Sequence, residues 1–171
     1  MKKTYIYIMT AVAIVLVCTA AVLAFTKEEP NWEENNIDIE IYQGQEVYYS
    51  SRIVDYFNEG IIGTINGTRY MLIEFPMLEF DFDEIINNLH ELQLKGIIPI
   101  IAHPERYKPL IKNPSLINRL IDEGYLFQLN IGSITGHLGK DVKKTAEIYA
   151  ANRIYNFVGS DGHRDSGRNT D

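Results

Sequence analysis

Apolar positions along this chain keep two rhythms, and the rhythms take turns. Ile37, Ile39 and Ile41 alternate with polar residues, the period of a half-buried strand, until Gly44 breaks the pattern just before Glu46. "SRIVDYFNEG" predicts a short helix, capped by Ser50 or Ser51 and stopped by Gly60. A turn at Asn66-Gly67 leads into a strand over 70–75 that Pro76 ends. "DFDEIINNLHELQLKG" is amphipathic, with Phe82, Ile85, Ile86, Leu89, Leu92 and Gln93 on one face and Gly96 as its stop. "IIPIIA" reads as a buried strand. "NPSLINRLIDEG" reads as a helix begun by Asn113-Pro114 and stopped by Gly124. "YLFQLNIGS" is the next strand, "GKDVKKTAEIYAANR" the next helix, and "IYNFVGSDGHR" a last strand. Strand and helix in regular alternation predict βα units and a mainly parallel α/β sheet.

In such sheets the chemistry lies beyond the carboxyl ends of the strands. Several ionisable or polar residues are expected there: Glu46 after "QGQ"; His103, Glu105 and Arg106 after "IIPIIA"; Asn130 and Ser133 after "YLFQL"; Asp161 and His163 after "NFVGS". Imidazole together with carboxylate suits Zn, Mn or Fe rather than a thiolate-loving metal. A cation so held lowers the pKa of water, and Arg106 offers the planar fork that grips a phosphate. Each of these residues alone is equally compatible with an ordinary loop or turn. Their recurrence at one strand end after another points to a metal or phosphate site. His90, on the amphipathic helix, reads as a surface residue. His137, in the glycine-bracketed "GSITGHLGK", is a candidate substrate contact. Tyr48, Tyr49 and Tyr107 lie near the expected site and are assigned to packing.

The first 25 residues follow another rule. Lys2 and Lys3 precede an uncharged, mostly apolar stretch over 5–25, about the length that crosses a bilayer as a helix. It predicts a signal peptide or a membrane anchor at 1–25, followed by an acidic linker at 26–36. The basic start places the body outside the cytoplasm if the stretch remains. With 171 residues, 46% hydrophobic and 23% charged, the rest makes about one globular domain, 37–171. The net charge of -7 speaks against a nucleic-acid partner. The single cysteine, Cys18, excludes an internal disulfide and a CxxC zinc site. Oligomeric assembly is left open.

"GQE", "YMLIEFP", "QLKGIIPIIAHPERY", "NPSLINRLIDEG" and "GSDGH" follow one another over residues 37–163. Together they resemble the manganese-dependent protein-tyrosine phosphatases of bacterial capsule and exopolysaccharide clusters. These form the CpsB/YwqE branch of the polymerase-and-histidinol-phosphatase (PHP) superfamily. The resemblance implies a distorted (β/α) barrel with a trinuclear metal site. It implies hydrolysis of phosphotyrosine on a tyrosine kinase that controls polysaccharide assembly, which would place the protein in the cytoplasm. By motif, Glu46, His103, Asp161 and His163 would be metal ligands for Mn2+ or another divalent ion, and Arg106 would hold the substrate phosphate. The family begins with a strand ending in His-x-His, and no histidine precedes His90 here. The expectation is therefore the C-terminal part of a barrel with a reduced ligand set. Such a part would be either an active phosphatase or a catalytically silent, membrane-tethered binding module.

Overall fold

A computed structural model describes residues 40 and 42–162. The expected membrane or signal helix, the linker, the alternating Ile37 and Ile39, and His163 lie outside the described residues. Among the described residues no helix is long and apolar enough to cross a membrane.

Among the described residues five strands form one sheet: β1 (Glu46–Tyr48), β2 (Tyr70–Glu74), β3 (Ile98–Ala102), β4 (Leu126–Asn130) and β5 (Phe157–Gly159). They lie side by side in chain order, and every pair is parallel. Sequential order without reversal means the chain always winds on in one direction across the sheet. Right-handed crossovers then place the connecting helices on one face. That face carries the main core, where Val47, Met71, Ile73, Phe75, Ile101 and Phe127 pack under the helices. The other face carries a smaller cluster of Leu72, Ile100 and Ala102, with Tyr70, Leu126 and Phe157 partly buried beside it.

The helices follow the expected spacing with local additions. α1 spans Ile53–Asn58 and α2 spans Phe82–Leu94. Asp81 caps α2, its carboxylate accepting from the backbone N–H of Asp83 at 2.8 Å and of Glu84 at 3.2 Å. Phe82, Ile85, Leu89 and Leu92 are buried as the periodicity predicts. Gln93, expected on that face, instead donates from Nε2 to the Glu123 carbonyl at 2.9 Å and ties α2 to the turn before β4. The stops at Gly60, Gly96 and Gly124 have φ of +70°, +86° and +77°, conformations that glycine adopts without a Cβ clash. Two short helices were not expected, α3 (Lys108–Lys112) and α5 (Ile131–Thr135). Beyond them come α4 (Ile117–Asp122) and α6 (Lys140–Ala151).

One sequence expectation needs correcting. Among the described residues Glu46 lies within a strand rather than after one: it opens β1, in register with Leu72 of β2. The alternation that suggested an earlier strand ends before Gly44, and the pairing partner for β2 is the segment after it.

Pro99 sits within β3 although proline cannot donate to a ladder. Ile98 N–H donates to the Arg69 carbonyl on the β2 side at 2.7 Å, so by alternation Pro99 faces β4. Pairing with β4 starts one residue later, at Ile100 with Leu126, and no ladder bond is lost.

Tyr107 joins two strand ends. Its buried hydroxyl donates to the Ala102 carbonyl at 2.7 Å and accepts from Phe75 N–H at 2.9 Å. Tyr107→Phe leaves both backbone groups buried and unpaired. The expected cost is about 1–3 kcal/mol, read as a lower urea midpoint at unchanged slope.

Candidate metal and phosphate site

The sheet register explains which polar side chains meet. Val47 and Tyr49 enter the helix-side core. Glu46 and Tyr48, alternating with them, therefore face the other side. Glu46 is level with Leu72 and Ile100 on that face, and Tyr48 with Glu74. His103 follows β3 directly, Asn130 ends β4, and Asp161 lies two residues past β5.

One ligand atom each from Glu46, His103 and Asp161 lie within 4.8 Å of one another. Glu46 Oε1 is 3.2 Å from His103 Nε2, and Glu74 Oε1 is 3.5 Å from the same nitrogen. The closer pair is not aligned as a hydrogen bond. Glu46 Oε1 and both ring nitrogens of His103 are buried with no hydrogen-bond partner. Buried polar atoms are nearly always satisfied, so Glu46 and His103 call for a shared partner that also suits the carboxylates of Glu74 and Asp161 beside them. A divalent cation meets that need with imidazole nitrogen and carboxylate oxygen as donors. The residues fit a metal on this ground.

Glu74 is a residue that motif reading passed over. Its charge is disfavoured: burial raises its carboxyl above the usual value, His103 opposes, Glu46 adds, Arg106 opposes and Asp161 adds. Acids crowded in this way are relieved by a cation. The signal in the sequence was an acid at the tip of "YMLIE", directly before the strand-ending Phe75-Pro76.

Arg106 stands beside the cluster, in the single-turn 3-10 helix Pro104–Arg106. Its Nη1 is 2.6 Å from Asp161 Oδ2, and its side chain is largely buried. Asn130 Nδ2 donates to the same oxygen at 3.1 Å. Two residues of the site hold backbone conformations that non-glycine residues seldom adopt, His103 at φ +30° and Asp161 at φ +53°. Such strain of about 1–3 kcal/mol per residue gathers where a site needs a side chain aimed off the regular path.

The remaining candidates separate clearly. Glu105 is fully buried but is not one of the clustered ligands. Ser133 is buried in α5 with its hydroxyl unpartnered among the described residues. His137 is exposed in the turn after α5, its Nδ1 3.5 Å from Thr135 Oγ1. His90 is exposed as expected. Tyr49 turns to the helix side, where it accepts from Asn88 Nδ2 at 2.7 Å. Tyr48 is 60% exposed beside Glu46.

The chain is similar to known proteins both in sequence and in fold. A family model of capsular polysaccharide synthesis proteins, CpsB/CapC, matches residues 19–171. CapC of Staphylococcus aureus is 37% identical over 134 residues, covering 78% of this chain and 52% of that protein. The tyrosine-protein phosphatase YwqE of Bacillus subtilis is 36% identical over 141 residues, covering 80% and 53%. The tyrosine-protein phosphatase CpsB of Streptococcus pneumoniae is 34% identical over 131 residues, covering 74% and 54%. A chain from the crystal structures of YwqE and CpsB, described there as metal-dependent tyrosine phosphatases, superposes with a TM-score of 0.71 at 33% identity. It covers 81% of this chain and 56% of its own. The chain thus spans about half the length of the curated relatives it matches.

Proposed function

This chain belongs to the CpsB/CapC family of capsular polysaccharide synthesis proteins, and from that premise we propose that it carries the metal- and phosphate-binding edge of a protein-tyrosine phosphatase. The observation that supports the reading is the Glu46–His103–Asp161 cluster, in which Glu46 Oε1 and both His103 ring nitrogens are buried without a hydrogen-bond partner and Arg106 stands alongside.

Glu46, His103 and Asp161 would hold a divalent cation, with Glu74 as a fourth donor. Manganese is the proposed ion, being suited to mixed imidazole and carboxylate ligands. His163 joins the set on sequence spacing, as the second member of Asp-x-His. A cation bound there supplies Lewis acidity toward a phosphoryl oxygen and makes water more acidic. The chain's own contribution is placement and charge. Arg106 presents parallel N–H donors to the phosphate oxygens and balances the charge that grows on them. The proposed substrate is phosphotyrosine on a protein, and the proposed partner a tyrosine kinase of polysaccharide assembly. His137, exposed beyond α5, is proposed only as an outer contact for that partner.

A second reading keeps the binding and drops the turnover. It is favoured by the size of the cluster. Among the described residues, three clustered ligands with Glu74 beside them suit one cation.

The deciding experiment is hydrolysis of p-nitrophenyl phosphate and a phosphotyrosyl peptide by the full chain, with Mn2+ and with chelator. Turnover that requires Mn2+ is the expected result. Peptide binding without turnover would move the conclusion to the second reading, and neither binding nor turnover would reject both.

A further inference from the structure

Glu105 lies between two residues of the site, His103 and Arg106, yet it takes no part in the ligand cluster. Its side chain is fully buried. Oε1 accepts from the backbone N–H of Asn130 at 3.0 Å. Oε2 accepts from the Tyr155 hydroxyl at 3.0 Å. Three parts of the sheet therefore meet on one carboxylate: the turn after β3, the end of β4 and the approach to β5.

Asn130 passes the connection onward. Its Oδ1 accepts from Gly132 N–H at 2.8 Å, which fixes the orientation of the amide. The amide nitrogen is thereby turned to Asp161, to which it donates at 3.1 Å. A continuous path of hydrogen bonds thus runs from the His103 turn through Glu105 and Asn130 to Asp161.

The residue type fits this role. Both partners of Glu105 are donors, so the position calls for two acceptors, which a carboxylate has and an amide lacks. Burial, with the charge and hydrogen bond of Glu105 adding to it, raises the Tyr155 hydroxyl above its ordinary value. Tyr155 therefore stays a donor across the working pH range. A buried carboxylate held by neutral donors is costly to desolvate. A staple needed only for packing would be met more cheaply by apolar contact.

We propose that Glu105 is a positioning residue, which holds the ends of β3, β4 and β5 at the spacing that lets His103 and Asp161 share one cation. This rests on reading the Glu46–His103–Asp161 cluster as a cation site. A test with two readouts separates the two ideas. On the full chain, Mn2+ affinity is measured by the loss of the free-ion paramagnetic resonance signal. Backbone hydrogen exchange is followed in parallel at 128–132 and 157–162. The variants are Glu105→Ala and Glu105→Gln. The control is a helix-side core change of matched melting-temperature loss, chosen between Ile85→Val and Leu89→Ala.

Glu105→Ala is expected to weaken Mn2+ about 10–100-fold, the range for groups that orient ligands. It should also speed exchange at both segments at least about tenfold, starting at the Asn130 amide. Glu105→Gln should fall between it and the wild type, because the Tyr155 hydroxyl can rotate to accept. The core control should leave both readouts near wild type. Equal effects from Glu105→Ala and the control would overturn the proposal, as would unchanged exchange at 157–162. If the wild type takes up no Mn2+, the cation reading fails, and the exchange data alone still decide whether Glu105 couples the three strand ends.

Discussion

His103→Ala should lose Mn2+ by at least about a hundredfold, more than the 10–100-fold seen for residues that only support ligands. The ring of His103 is at the centre of the cluster, with Glu46 Oε1 at 3.2 Å and Glu74 Oε1 at 3.5 Å from Nε2. Neither ring nitrogen has a hydrogen-bond partner, so its removal breaks no hydrogen bond in the metal-free protein. The buried ring also packs edge-on against Tyr107, so the melting temperature without metal should fall through the lost packing, and the readout is the Mn2+-induced rise within each protein. With Mn2+ the two should part further. A ligand at a hundred times its dissociation constant stabilises the folded state by about 2.7 kcal/mol, and the variant should show almost none of this. Mn2+-dependent hydrolysis should drop to background at the same time. Differential scanning calorimetry with and without Mn2+ reads the effect independently of turnover. A variant that kept the full Mn2+-induced rise would remove His103 from the ligand set.

Arg106→Lys is the second large effect. Arginine and lysine carry the same charge but different geometry, and only the guanidinium offers paired donors in a plane. Arg106 Nη1 is 2.6 Å from Asp161 Oδ2 in a largely buried setting. The side chain thus spans the metal cluster and the place where phosphate oxygens would lie. Loss of one preorganised donor to a developing negative charge typically costs about a hundredfold to a thousandfold in turnover. The expected result is a fall of about a hundredfold in kcat/KM for an aryl phosphate, or in phosphotyrosyl-peptide affinity if binding is the whole activity. Mn2+ uptake should persist, because the lysine ammonium leaves the Glu46, His103 and Asp161 ligand atoms in place. Activity within twofold of wild type would confine Arg106 to its ion pair with Asp161.

The two predictions differ in what they owe to the sequence. His103, Arg106 and Asp161 were legible because each interrupts a local pattern. A buried apolar run ending in His-Pro-Glu-Arg, and a glycine-rich turn carrying an acid, have no packing reason of their own. The stops at Gly60, Gly96 and Gly124 and the breaker Pro76 were legible for the same kind of reason, since backbone constraints are local. Glu74 was legible only as an acid at a strand tip, with nothing local to say which way it faces. An acid in an alternating strand looks like an outward-facing residue, and only the parallel register of β2 with β1 and β3 turns its face toward His103. Glu105 carried the opposite ambiguity. Within "AHPER" it looked as available as its neighbours, but tertiary contacts with Asn130 and Tyr155 occupy both its oxygens.

The sequence by itself determined the alternation of strand and helix, the glycine stops, the family, and the residue types of the candidate site. These depend on periodicity and on the conformational limits of glycine and proline, which act over a few residues. The tertiary structure decided where β1 begins, which face of each strand is polar, and which carboxylates converge. Those follow from strand register and from contacts 25 to 55 residues apart in the chain, such as Glu105 with Asn130 and Arg106 with Asp161. No local pattern records such distances, because the energy that fixes them comes from burying the whole sheet against its helices.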